Sequence, residues 1–293
     1  MKLGRELLFI FCSLLFPVSS VFSQADFPAR GFSPILDEVQ AQAKLDSFKQ
    51  GFYSTLKEGV YHQAYLYRFE FAHFSSNGAP VTHHGLLSGP YPNAPVLRID
   101  LISSSQDYSR LSSFLLLRDH EHPRILKWTQ DDKELFDLLP QDWLLPWKEG
   151  VNHAPFDLLM PFLQWSFEYE KSGRVCGRPA HLFLFLPPPD QKDYPVTCQA
   201  IRLAVDDTYN APLRIEHMDG GILPSRIFSL QSFKKLDEQW VVKAIDAKDR
   251  DTKSRTRFEL KAFAHDLDLS PSVFQESGLS QSLSLSSISL QPL

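Results

Sequence analysis

From about Glu168 to Ala264 the chain alternates apolar and polar residues in short runs, and turn-forming residues separate the runs. Ile201, Leu203 and Val205 alternate with Arg202, Ala204 and Asp206, and the turn Thr208-Tyr209-Asn210-Ala211-Pro212 follows. Leu213, Ile215 and His217 open the next run, which ends at Asp219-Gly220-Gly221. Trp240, Val242 and Ala244 form a third run, and Phe258, Leu260 and Ala262 a fourth beyond the charged stretch Asp246 to Lys253. A period of two with Gly, Pro, Asn and Asp between runs predicts an antiparallel meander with one covered face.

Earlier in the chain the period changes. Leu36, Val39, Ala43, Leu45, Phe48, Phe52 and Leu56 recur mainly at three- and four-residue steps, predicting an amphipathic helix over 35–56 with Ser33 as a candidate N-cap. Tyr65, Tyr67, Phe69, Phe71 and His73 then share one face of a strand, and further strands are expected around Leu86 and Leu87 and over Val96 to Ile102. Ser113 to Arg118 and Arg124 to Trp128 read as a hairpin, and Asp132 to Leu139 as helical. Asp157 to Trp165 is almost wholly apolar, and two readings stay open: a helical turn plugging the core, or a cover over a ligand cavity. In Leu182 to Leu186 the residues Phe183 and Phe185 alternate with leucines, so both faces need a covering layer. Residues 276–293 are Ser/Leu-rich, and the composition predicts a disordered tail, with an added edge strand as the alternative.

The start of the chain bears on compartment. Lys2 and Arg5 precede an apolar run from Leu7 to Phe16, and small residues follow at Ser23 and Ala25. This is the layout of a cleavable export signal over 1–25, leaving 26–275 as one domain expected in the periplasm. Cleavage removes two positive charges and one negative, so the formal net charge of −5 becomes −6. An acidic chain without basic clusters is a poor nucleic-acid binder. Cys176 and Cys198 remain after cleavage and are a candidate disulfide, although an intervening strand would hold them apart.

A catalytic constellation is hard to find. There is no G-x-S-x-G elbow, phosphate-binding loop or dinucleotide glycine pattern. Asp206-Asp207 enters a turn and reads as turn chemistry. His120 and His122 would share a face of an extended segment and are the best metal candidates. They are two ligands where zinc needs three or four, and a solvated hairpin tip is the plainer reading.

Several phrases, in order, resemble the LolA-type periplasmic lipoprotein-sorting proteins. They are Asp157-Leu158-Leu159-Met160-Pro161-Phe162, Gly177-Arg178-Pro179-Ala180, Asp207 to Arg214, Trp240-Val241-Val242-Lys243, Thr256-Arg257-Phe258-Glu259 and Leu267 to Phe274. The resemblance covers about Asp157 to Phe274, and only the order of elements from Ile35 to Trp128. It implies a mainly β fold, in which a curved antiparallel sheet of about 10–11 strands forms an incomplete barrel with helices over its open side. It also implies a non-enzymatic carrier that needs no cofactor, shields acyl chains of lipoproteins or lipids in its concavity and exchanges them with inner- and outer-membrane partners as a monomer. Candidate lining or cover residues are Tyr65, Tyr67, Phe69, Phe71, Leu158, Leu159, Met160, Phe162, Phe183, Phe185 and Phe258. Arg68 is the basic residue nearest the family's gating position. The chain holds 5 Trp, 9 Tyr and 23 Phe, enough to line such a cavity or to build an ordinary core. The alternatives are a binding or docking module on the same fold that does not shuttle cargo, and a metal-dependent hydrolase using His120 and His122.

Overall fold

A computed structural model describes residues 33–52, 63–76, 78–91, 96–118, 122–189, 198–221, 223–236, 239–285 and 288–293. The expected export signal and the hairpin tip with His120 lie outside these residues.

The first sequence-predicted element is α1, Glu38–Phe52, which begins three residues later than the periodicity suggested. Its N-cap is Asp37 and not Ser33. Asp37 Oδ1 accepts from the Gln40 amide at 2.8 Å, and Gln40 Oε1 accepts from the Asp37 amide at 3.1 Å, a reciprocal capping box. The buried stripe is Ala41, Leu45, Phe48 and Phe52, while Val39 is 78% exposed.

Among the described residues fourteen strands build one antiparallel sheet, open at both edges, where ten or eleven were expected. The first six are β1 (Gln63–Phe74), β2 (Val81–Tyr91), β3 (Val96–Ile102), β4 (Arg110–Leu117), β5 (Arg124–Thr129) and β6 (Leu135–Asp137). After a long connection come β7 (Ser166–Val175), β8 (Arg178–Leu186), β9 (Ala200–Asp206) and β10 (Pro212–Met218). The series ends with β11 (Arg226–Leu236), β12 (Gln239–Asp249), β13 (Ser254–Leu267) and the short β14 (Gln291–Pro292). The expected helix over Asp132 to Leu139 is instead a turn and the edge strand β6, because Leu135 and Asp137 pair with Trp128 and Leu126.

The spatial order is β6-β5-β4-β3-β2-β1-β13-β12-β11-β10-β9-β8-β7. The chain therefore starts near the middle, winds out to one edge, crosses to the opposite edge and winds back. Turn chemistry fixes the register. Cys176 and Gly177 both adopt positive φ, as a two-residue hairpin loop between β7 and β8 requires. Asp206 Oδ1 accepts from the amides of Thr208 and Tyr209 and so serves the turn, while Asp207 Oδ1 lies 2.8 Å from His181 Nε2 on β8.

Alternation along β1 separates two faces. Tyr65, Tyr67, Phe69 and Phe71 point into the concavity with the α1 stripe, while Leu66 points outward. Gly85 and Gly89 stand directly across from Phe69 and Tyr65, and a Cβ at either position would overlap the opposing ring. The tips of two aromatic rings thus reach over the backbone of β2.

The outer face carries the Ser/Leu-rich segment. The expectation of disorder is corrected here. Leu279 is buried against Leu115 and Leu126, and Leu283, Leu285, Ile288 and Leu290 pack over Leu66, Leu86 and Ile102. β14 pairs with β13 through Ala262 and Phe263. Leucines and Ile288 recur along this strap, and the outward leucines of β1 and β2 give them a surface to cover.

The strap is pinned by Arg98, which is fully buried. Its guanidinium donates to Asp100 at 3.0–3.2 Å, to the carbonyls of Val273 and Gly278 at 3.1 Å, and to the Gln281 carbonyl at 2.5 Å. Arg110 adds bonds to the carbonyls of Leu279 and Gln281 at 2.8 Å.

Candidate functional site

The crossing between the sheet edges decides what the concavity can do. From Leu138 to Trp165 the chain passes over the hollow of the sheet. It forms α2 (Pro155–Leu159), and Met160 then breaks it in the left-handed region at φ 48°. Pro161 starts a further helical turn through Gln164. Phe156, Leu159, Met160, Phe162 and Leu163 are all at most 1% exposed. This segment is a plug seated in the concavity, so the core-plugging reading describes the structure.

α1 closes the other end. Lys44 Nζ donates to the Asp207 carbonyl at 2.7 Å, Asn210 Nδ2 donates to Ser47 Oγ at 3.1 Å, and the Leu36 amide donates to Tyr169 Oη at 3.3 Å. Desolvation lowers the pKa of the Lys44 ammonium against the opposing pull of Asp207 and Asp206.

Under the plug a hollow of about 60 Å³ remains. Phe69 and Phe71 of β1, Ile215 of β10, Phe228 of β11 and Phe258 of β13 form its walls, and Trp147, Leu158 and Met160 its cover. The space suits a few water-sized bodies, far less than the roughly 300–1,000 Å³ of ordinary small-molecule sites.

His153, Asp157 and Arg214 interrupt this apolar lining, and His217 stands beside Asp157 without lining the space. Asp157 Oδ2 accepts from the Ala154 amide at 2.7 Å, and its Oδ1 lies 3.1 Å from His217 Nε2. His153 is 7% exposed, and neither ring nitrogen has a hydrogen-bond partner. Its ring packs against Phe71 at 5.2 Å and Phe228 at 5.5 Å. Burial pushes the His153 imidazole down to about 4, with the nearby Asp157 carboxyl opposing that shift.

Of the residues named from sequence, Phe69, Phe71, Leu158, Met160 and Phe258 meet around this hollow. Tyr65, Tyr67, Leu159, Phe162, Phe183 and Phe185 lie in the fused core beside it. Phe162 packs on Phe185 at 5.4 Å, and Tyr67 Oη bonds His265 Nε2 at 2.6 Å. Arg68 follows Leu66 onto the outer face and cannot gate the concavity.

Cys176 and Cys198 are both free. They sit beyond opposite ends of β8, so the candidate bridge is ruled out by a full strand length. Burial first, then Asp219 and Asp157, pushes the Cys198 thiol up to about 12, which leaves it unreactive at neutral pH. Among the described residues no group of three or more His, Cys, Asp or Glu could hold a metal ion. His73 Nδ1 is bonded to Thr256 Oγ1 at 2.9 Å, a satisfied edge histidine.

No protein-family model and no curated protein sequence matches the chain. Solved structures do. A domain from Vibrio parahaemolyticus named for outer membrane lipoprotein sorting superposes with a TM-score of 0.61 at 15% identity, covering 77% of this chain and 94% of that one. A DUF1329 family protein from Desulfovibrio piger gives 0.59 at 12% identity, covering 75% and 92%. A LolA superfamily protein from Nitrosomonas europaea gives 0.56 at 9% identity, covering 80% and 97%. The fold is therefore the LolA type, an antiparallel sheet curled without closing. Among the described residues no helix is long and apolar enough to cross a membrane.

Proposed function

We propose that this protein is an exported, periplasmic binding protein for the acyl chains of lipoproteins or lipids, acting without catalysis and exchanging its ligand with membrane partners. The observation that carries this reading is the plug. An aromatic concavity is covered by a connection that runs from one sheet edge to the other, and its residues 155–164 occupy the place an acyl chain would take, while Asn152, next to His153, stays bonded to Thr256 and Ser254 of β13.

Magnitudes are compatible with exchange. Burying five large apolar side chains of the plug is worth on the order of 10 kcal/mol. A saturated chain of roughly 16 carbons recovers about 12 kcal/mol at ~0.8 kcal/mol per CH₂. Ligand and plug are therefore near-equal competitors for one apolar surface.

The small hollow of about 60 Å³ favours a second reading, in which the plug stays seated and the protein docks to a partner without carrying cargo. Native mass spectrometry of the mature chain, with titration of a fluorescent acyl probe, separates the two. Saturable uptake near one equivalent, competing with unlabelled lipid, supports the carrier. No uptake at any concentration below micelle formation rejects it in favour of docking.

A further inference from the structure

An aliphatic chain needs only apolar walls, yet His153 brings a donor and an acceptor into the hollow. A neutral imidazole carries one N–H and one lone pair, and an unmet buried polar atom costs about 1–3 kcal/mol. His153 leaves both nitrogens unmet while lining the hollow. Asp157 is engaged by Ala154 and His217, and Arg214, also at the hollow, reaches Glu216 at 3.4 Å. The Asp157 carboxyl repels a carboxylate, and Arg226, whose charge also acts on His153, does not line the hollow. A neutral acceptor suits it.

We propose that His153 donates a hydrogen bond to the carbonyl oxygen of an acyl ester or amide, so that the ligand seats its acyl linkage, and not its methyl end, against Phe71, Phe228 and Phe258. This rests on the carrier reading above and adds to it the part of the ligand that is recognised. The low basicity of the buried ring keeps it a neutral donor at neutral pH. Glycerolipid esters and lipoprotein amides share this chemistry.

The test compares three probes that differ in the linkage: 1-palmitoyl-lysophosphatidylglycerol, its 1-O-hexadecyl ether analogue and an N-palmitoylated peptide. The wild type is expected to bind the ester about five- to tenfold more tightly than the ether, the scale of one hydrogen bond. His153→Phe should bind ester and ether alike, at the wild-type ether level, and His153→Gln should restore part of the preference. The amide arm tells the sources apart, since tighter binding of the peptide than of the ester assigns the lipoprotein linkage. Equal wild-type affinities for ester and ether overturn the proposal while leaving the carrier reading standing. Failure to bind any probe, the ether included, removes the carrier reading and this proposal with it. ¹⁵N spectra of the wild-type imidazole make the test independent of variant folding. The His153 ring signals should shift with the ester and not with the ether, and ring signals unmoved by saturating ester would mean that water alone serves His153.

Discussion

Arg98 and His153 are both buried polar side chains, one under the outer strap and the other at the start of the inner plug, and they are treated in opposite ways. All five guanidinium protons of Arg98 are placed, two toward Asp100 and three toward carbonyls of the strap. Both ring nitrogens of His153 are unmet. A fully bonded buried charge locks two layers in one arrangement, because any displacement strands several groups together. A buried imidazole without partners resists nothing of that kind. It leaves the inner layer ready to accept another acceptor. On the proposed carrier reading the outer cover is a permanent part of the fold, and the inner one exchanges with the ligand.

The comparison can be broken at its strong side first. Arg98→Met should leave the buried Asp100 carboxylate with the Ser113 hydrogen bond and the charge of Arg110 alone, and release the strap. Such unpairing costs about 3–5 kcal/mol, measurable by urea denaturation, and the exposed outer leucines should bind a hydrophobic dye. A loss under 1 kcal/mol would mean that the strap is held by its leucines and not by the arginine.

His153 makes a pH prediction of nearly that size. Its folded-state pKa of about 4 lies below the ordinary histidine value of 6.5. Between those values the unfolded chain binds more protons, so stability is complete above pH 6.5 and declines as pH falls toward 4. The decline attributable to this group is about 3 kcal/mol, and His153→Phe should flatten the profile by that amount. Parallel profiles for the two proteins would show that His153 is not buried as a neutral ring.

The smallest effect lies at the rim. Asp37→Ala removes the α1 cap and should cost about 1 kcal/mol. It should speed uptake of an acyl probe and leave the dye response of the strap unchanged. Faster dye binding in this variant would show that the two covers open together.

The strands were legible because alternation is enforced wherever one face is covered. β3 matches its expected range, and β1 and β9 to β13 follow the periodic runs. His217 was also readable as inward-facing, following Leu213 and Ile215 at two-residue steps. His153 was not, because it lies in an irregular stretch rich in Trp and Pro where no period assigns a side. The strap failed for a different reason. Its composition is that of a disordered tail, and only the outward leucines of other strands, far away in sequence, give it a surface. Val39 and Ala43 kept the helical spacing of α1 but fall outside its buried stripe. The stripe runs 41, 45, 48, 52 once the helix begins at the Asp37 cap.

The sheet order has a kinetic consequence as well. β1 lies beside β13, with Ala64 opposite Leu267, so the central seam joins segments about 200 residues apart. Every other pairing in the main strand order, from β1 out to β6 and from β7 back to β13, is between consecutive strands. Two local meanders can therefore form early, each with an unpaired inner edge, and the seam closes last, after the largest loss of chain entropy. Until it closes, β1 and β13 are open templates for strand addition, and the newly made chain is at its most vulnerable to aggregation in that interval.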